Sequence, residues 1–360
     1  MRFNEIVQPP KVGREFQHLE DLVFVEGSSG VRAALTALEH IAQGHEDVAI
    51  KWDGNPTIYW GREEDGTFVM VGKNGWGRNM STTREDLERF ILSSGKGEEW
   101  RATFAESMGI IFDLLQENTP SDFRGYVYGD LLYHPKNFVT EDVGHYRFTP
   151  NKVEYSVRID SPLGEQMFAS QLGIAAHSYH PSFGSKISQP IEFTEELNTS
   201  NVVVLGQTYV THTPDLDRTK LEEAERWLHD HAKEIDRFLE PVKGLSDLRA
   251  TIYRFVNKQS RAQQLDGINE GSFLGSLDEL KVSESKQGKI NSLVEQHPNA
   301  LPAIFTLIGL LMEAKDDIIN QLDTAESDVT ARTGDQVGGE GYIAHRNKLK
   351  LVPRSRWQLN

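Results

Sequence analysis

The stretch Val48-Ala49-Ile50-Lys51-Trp52-Asp53-Gly54-Asn55-Pro56-Thr57-Ile58-Tyr59-Trp60-Gly61 limits what this chain can become. Val48 to Ile50 is a short apolar run that predicts a buried strand, and it delivers Lys51 at its end. Gly54 and Pro56 break that strand. Thr57 to Trp60 start another, and Asp65-Gly66 turns it back into Phe68-Val69-Met70-Val71 as a hairpin. An ammonium at the lip of a buried strand must stay solvated or paired. Partial desolvation and cationic neighbours would make that amine a nucleophile by lowering its pKa. Asp53, on the same side of an extended chain, is expected to orient it. A surface lysine beside an Asp-Gly turn is the plainer reading of the same residues.

The remaining sequence alternates in character. A helix is expected from about Val31 to Ala42, entered through Gly27-Ser28-Ser29-Gly30, a turn that either caps the helix or holds a phosphate at its N-terminus. Past the first hairpin, Lys73-Asn74-Gly75-Trp76-Gly77-Arg78 lets backbone approach a ligand and supplies two cations; Trp76 could stack on a base or cap the sheet. Residues 83–118 read as helical core. The run Tyr126-Val127-Tyr128-Gly129-Asp130-Leu131 is a strand with an acid inside it, costly unless the acid meets a metal, a cation or a hydroxyl. Phe148–Val157, Leu172–His180 and Val202–Leu205 are further strands. His177 and His180 read as satisfied or exposed rather than as a metal pair. Residues 215–325 read as helices with apolar stripes and acidic outer faces. Gly334 onward returns to strand pattern, with Lys348-Leu349-Lys350-Leu351 placing both lysines on one face and Arg346-Asn347 as a hairpin turn.

Composition removes several classes. No cysteine is present among the 360 residues, which excludes disulfides, thiolate metal sites and a cysteine nucleophile. Met1–Pro10 lacks a signal-peptide core, and the longest apolar stretch, Leu301 to Met312, falls short of the ~20 residues that span a bilayer. A cytoplasmic location without membrane partners is expected. The net charge of −16 suits a nucleic-acid enzyme poorly unless basic residues are gathered. They are gathered once, as Arg346, Lys348, Lys350, Arg354 and Arg356, with no acid from Gly341 onward.

Taken in order, Lys51-x-Asp53-Gly54, Lys73-Asn74-Gly75, Gly129-Asp130, Glu340-Gly341-Tyr342-Ile343 and Lys348-x-Lys350 resemble motifs I, Ia, III, IV and V of the covalent nucleotidyltransferases. These are the ATP-dependent DNA and RNA ligases and the mRNA capping enzymes. The resemblance covers roughly residues 20–210 and 335–355. It implies an α+β fold: an antiparallel-sheet nucleotidyltransferase core, ATP-grasp-like, formed by 1–214 plus 331–360, with an all-helical lobe, 215–330, inserted.

The resemblance also implies a chemistry. With ATP and Mg²⁺, Lys51 would attack the α-phosphorus to give lysyl-AMP, then pass AMP to a polynucleotide 5′-phosphate before sealing. Lys348 and Lys350 would neutralise phosphate charge and help activate Lys51. Glu340 and Asp130 would hold metal, or Asp130 the ribose. Ile50, Gly54, Lys73 and Arg78 would line the nucleotide, and Tyr179 would stack on the base. Pro56 stands where DNA ligases and capping enzymes carry arginine, and the chain stops soon after motif V. Both departures favour the RNA-ligase branch, in the compact form of phage-encoded RNA ligase-like proteins, which would place the protein in the cytoplasm of a host cell. The acceptor could be an RNA or DNA end. Two further classes stay open: an adenylyltransferase with a protein or small-molecule acceptor, and a non-catalytic scaffold binding a protein through the helical lobe.

Overall fold

The computed structural model describes residues 16–93 and 99–356. In chain order the first elements are β1 (Gln17–His18), α1 (Leu22–Glu26), α2 (Ser28–Ala42), β2 (Val48–Ile50), β3 (Thr57–Arg62) and β4 (Phe68–Gly72). Then come α3 (Arg84–Ser93), α4 (Glu99–Asn118), β5 (Gly125–Tyr133), β6 (Thr140–Asp142), β7 (His145–Phe148) and β8 (Val153–Arg158). Next are α5 (Pro162–Met167), β9 (Leu172–His180), β10 (Val202–Leu205), α6 (Arg218–Phe238), α7 (Leu248–Arg261) and α8 (Glu270–Gly275). The last are α9 (Glu284–Gln296), α10 (Ala300–Thr324), β11 (Val329–Thr333), β12 (Gln336–Val337), β13 (Tyr342–Ala344) and β14 (Leu349–Leu351). The fold is mixed α and β with mainly antiparallel sheets; among the described strands only β1 with β14 and β9 with β10 run parallel. The expected helical span 83–118 is α3 and α4, and its residues 94–98, like Met1–Pro10, lie outside the described residues. No described helix is long and apolar enough to cross a membrane.

The chain divides into two compact units. The first comprises Met1–Lys51, Tyr209–Ala325 and Glu340–Asn360. Its sheet has the order β1-β14-β13-β2, with β13 and β14 joined as the hairpin that Arg346-Asn347 predicts. Val48, Ala344 and Leu349 align across it and face the helices. The helices of 215–325 are not a lobe with a core of its own. Leu38 of α2, Ile235 of α6, Phe255 of α7, Ile308 of α10 and Leu351 of β14 belong to one apolar cluster. The reason is visible in α10, where Ile304, Phe305, Leu307 and Ile308 are all buried, so the helix needs neighbours on several sides. An amphipathic stripe reports that a face is covered, not by what.

A buried ionic knot closes this unit. Glu20, Asp21, Lys315 and Arg354 are each at most 1% exposed. Lys315 Nζ lies 2.9 Å from Glu20 Oε2, and Arg354 pairs with Glu20 through Nε and with Asp21 through Nη2. Arg354 Nη1 donates to Asn257 Oδ1 at 2.9 Å. Burial favours a neutral Glu20, but Lys315 and then Arg354 outweigh it and hold its pKa far below the carboxylate range.

The second unit comprises Trp52–Thr208 and Glu326–Gly339. Its larger sheet runs β10-β9-β5-β3-β4. Ile58, Trp60, Val127 and Ile174 point to one face and pack on Ile111 and Phe112 of α4. A second sheet, β12-β11-β8-β7-β6, contains a strand the sequence did not suggest: β11 pairs antiparallel with β8, Ala331 opposite Tyr155. The single strand expected over Phe148–Val157 is instead the hairpin β7–β8, turned at residues 149–152.

Two expectations follow. Arg354→Met leaves Glu20 and Asp21 buried with one cation fewer, and should lower unfolding free energy by about 3–5 kcal/mol in urea titration. Burial pushes the Asp316 carboxyl up to about 6, against the pull of Lys315, with Glu20 adding to the rise. Its folded pKa lies above the unfolded value of about 3.9, so stability from this group is greatest below about pH 4 and is lost as pH rises through 6. Asp316→Asn should therefore be more stable than the native protein at pH 8, by about 3 kcal/mol, and show no advantage at pH 4.

Candidate functional site

In the first unit Lys51 and Glu340, far apart in the sequence, meet. β2 runs antiparallel to β13, and the pairing continues past the strand end, with Lys51 N donating to Gly341 O at 2.9 Å. Lys51 Nζ is ion-paired with Glu340 Oε1, both side chains being mostly buried. Gly341 is held at φ 121°, and a Cβ there would lie 2.3 Å from Leu351 O, so the glycine lets the Glu340 segment cross close to β14. Ile50 aligns with Tyr342, and Ala49, Ile343 and Lys350 form one cross-strand row. Strand alternation puts Lys51 on the same face as that row. The lysine pair does not share a strand face as expected. Lys350 lies in β14, but Lys348 is an exposed turn residue at φ 51°. The turn closes by Lys348 N donating to His345 O, which removes Lys348 from the alternation.

The second unit holds the other motif residues. Asp53 is buried, and its carboxylate accepts from Asn151 Nδ2 at 3.0 Å and from Lys152 N at 3.1 Å. Its own N–H donates to the Tyr155 hydroxyl at 2.6 Å. The expected task of orienting an amine gives way to anchoring the chain on the β7–β8 turn. Gly54 then lies against β5: a Cβ on it would meet Asp130 Cβ at 2.5 Å and Leu131 O at 2.9 Å. Asn55 N donates to Leu131 O, and Leu131 N donates to Pro56 O. The segment after Lys51 and the Asp130 strand are thus stitched together backbone to backbone.

Asp130 projects on the sheet face away from α4. His177 Nε2 lies 2.8 Å from Asp130 Oδ2, and the His177 ring is tilted against Tyr128 at 5.6 Å. Thr57 is aligned with Asp130 and Tyr59 with Tyr128. Tyr59 stacks on Trp76 at 3.9 Å and 7°, so Trp76 caps the sheet. Burial pushes the Tyr59 hydroxyl up to about 12, with Tyr128 contributing. Burial and then the Asp130 charge raise Tyr128 as well. Both phenols remain protonated donors near neutral pH. Lys73 and Arg78 are exposed on the loop after β4.

Tyr179 is not on this face. Its hydroxyl donates to Arg124 O at 3.0 Å, and its ring lies against Gly125 and near Phe193. The cause is a bulge: Ser178 is opposite Tyr128 and Ala176 opposite Gly129, so His177 is an extra residue that inverts the alternation beyond it. His177 reads from sequence only as a satisfied or exposed histidine, and Tyr59 and Tyr128 are not picked out there. The period-two series Tyr126, Tyr128, Asp130 was the available signal for the second tyrosine.

Other expected anion sites are occupied by the protein's own groups. Ser28 N and Oγ at the start of α2 donate to the Asp236 carboxylate at 2.8 and 2.7 Å. Of the C-terminal basic residues, Arg346 pairs with Asp47, Arg354 with Glu20 and Asp21, and Arg356 with Asp323. Among the described residues no three His, Asp or Glu side chains are gathered around a metal position. Mg²⁺ held by substrate phosphates needs only one or two carboxylates and keeps several waters. Glu340 and Asp130, each half-buried, are groups of that kind.

The family of unknown function DUF6267 matches residues 14–358. The chain belongs to that family. No curated protein and no solved structure matches it.

The contact of Gly54 with β5 can be tested without a ligand. Gly54→Ala forces its methyl into Asp130 and Leu131 and should destabilise by about 1–3 kcal/mol. Gly72→Ala, where nothing lies within 4 Å of the added Cβ, should stay within about 1 kcal/mol of native in thermal unfolding.

Proposed function

We propose that this protein is an ATP-dependent nucleotidyltransferase of the RNA-ligase kind, with Lys51 as its covalent nucleophile. The observation that carries the reading is the Lys51–Glu340 ion pair, which joins the first motif to the fourth across β2 and β13. Supporting it, Gly54 packs on Asp130, so the first and third motifs also adjoin. In the reaction, the Lys51 Nζ lone pair forms a bond to the α-phosphorus while the bond to the pyrophosphate oxygen breaks. The ammonium must first lose its proton, and Glu340, already on Nζ, is positioned to accept it. Lys350, on the Lys51 face of its sheet, and exposed Lys348 offset phosphate charge. Asp130, with His177 against it, and the protonated Tyr59 and Tyr128 offer ribose or phosphate oxygens both acceptors and donors. Mg²⁺, held with the phosphates by a carboxylate such as Glu340 or Asp130, would supply charge neutralisation at the leaving group. Transfer of AMP to a polynucleotide 5′-phosphate and sealing by a 3′-hydroxyl would follow.

A second reading keeps the adenylylation and changes the acceptor to a protein or small molecule. It is favoured by the buried pairing of Arg354 and Arg356, which removes two of the five expected basic residues from the surface available to a phosphate backbone.

Incubation with Mg²⁺ and α-labelled ATP should label the protein covalently on a denaturing gel, and Lys51→Ala and Lys51→Arg should abolish the label. Glu340→Ala should suppress it at least a hundredfold, by about the loss of a positioned acid–base group, with an unchanged circular dichroism spectrum. No label from ATP or GTP, or label retained by Lys51→Ala, refutes the reading.

A further inference from the structure

Helix α7 departs from the charge of the chain around it. In a protein of net charge −16 it contains no acid, and its cations are Arg249, Arg254, Lys258 and Arg261. Arg249 turns inward and donates to Val25 O and Leu239 O. The other three recur at i, i+4 and i+7, which places them on one helix face, and all three residues are exposed. A groove of about 520 Å³ runs along that face, lined by Tyr253, Arg254, Asn257, Lys258, Arg261 and Ala262. No acid lines it. Glu279, paired with Lys258, stands at the side.

Like charges three and four apart weaken a helix by a few tenths of a kcal/mol per pair, so the row has a price. The helix C-terminus offsets it for Lys258 and Arg261 in the last turn, while Arg254 donates to Leu280 O at 3.3 Å and to Thr251 Oγ1 at 3.1 Å. Arginine forks and a lysine point charge beside a tyrosine and an amide, in a concave site, are the groups that recognise phosphate. From Arg254 to Arg261 the helix rises about 10 Å, longer than one phosphate group. We propose that the α7 groove binds a chain of two or more phosphates, presented either as a free oligophosphate or as the backbone of a nucleic-acid strand. This site is independent of Lys51 chemistry.

The test uses the full chain and two probes: inorganic pyrophosphate by titration calorimetry, and a fluorescein-labelled single-stranded RNA decamer by anisotropy. Lys258→Gln with Arg261→Gln should weaken the bound probe by about tenfold or more. If the probe is the strand, the slope of log K against log salt should also fall by about 1.4. Glu279→Gln removes only the competing acid and should tighten binding about threefold; it decides the matter if the double variant is unstable. Variant-sensitive binding of pyrophosphate alone assigns a free oligophosphate, and variant-sensitive binding of RNA assigns a strand. Binding of neither probe, or binding unchanged in every variant that folds, overturns the proposal.

Discussion

The first unit depends on charges that have no access to water. Glu20 accepts from both Lys315 and Arg354, so one carboxylate binds a turn near the start of the described chain to the longest helix and to the C-terminal segment. Buried ions are stable only when each is matched, which makes the arrangement all-or-none. Its consequence reaches the sheet. β14 lies just before Arg354 and just beyond the β13 hairpin, and β13 pairs with β2, whose end is Lys51. Pinning Arg354 therefore helps set the register that brings Glu340 onto Lys51.

The second unit solves a different problem, that of placing an acid on a sheet face. Asp130 is tolerated within β5 because His177 is bulged out to meet it, and because Gly54 removes the side chain that would collide with it. The bulge that supplies His177 also turns Tyr179 to the helix-covered face, where it packs on Gly125. One inserted residue thus decides both which group joins the acid and which aromatic is withdrawn from it.

Positive charge is disposed economically throughout. Arg354 and Arg356 serve internal acids, Arg346 pairs with Asp47 at the surface, and the serine-rich start of α2 is capped by Asp236 from acidic α6. On α7 three exposed cations share one face of a helix that has no acid of its own, unlike α6, whose cations are interleaved with acids.

From sequence alone the order of strands and helices was largely legible, because period-two and period-3.6 apolar patterns report burial directly. The turns at Asp65-Gly66 and Arg346-Asn347 were legible too, and the order of short motifs is what proposed Lys51, Glu340 and Asp130 as site residues. Lys51 and Glu340 are adjacent as that order implied. Tertiary structure alone decided the rest. Which helices share a core was not legible, since a stripe carries no address; the buried apolar residues within 19–48, 221–322 and 342–351 proved to be one cluster. The β11 strand was missed because Val329-Thr-Ala-Arg-Thr333 has too few apolar residues to announce itself without its partner β8. The tasks of Asp53 and Tyr179 depended on a turn nearly a hundred residues away and on a one-residue bulge. Neither leaves a periodic trace, because hydrogen-bond partners and strand register are set by where the chain returns and not by the residues next in line.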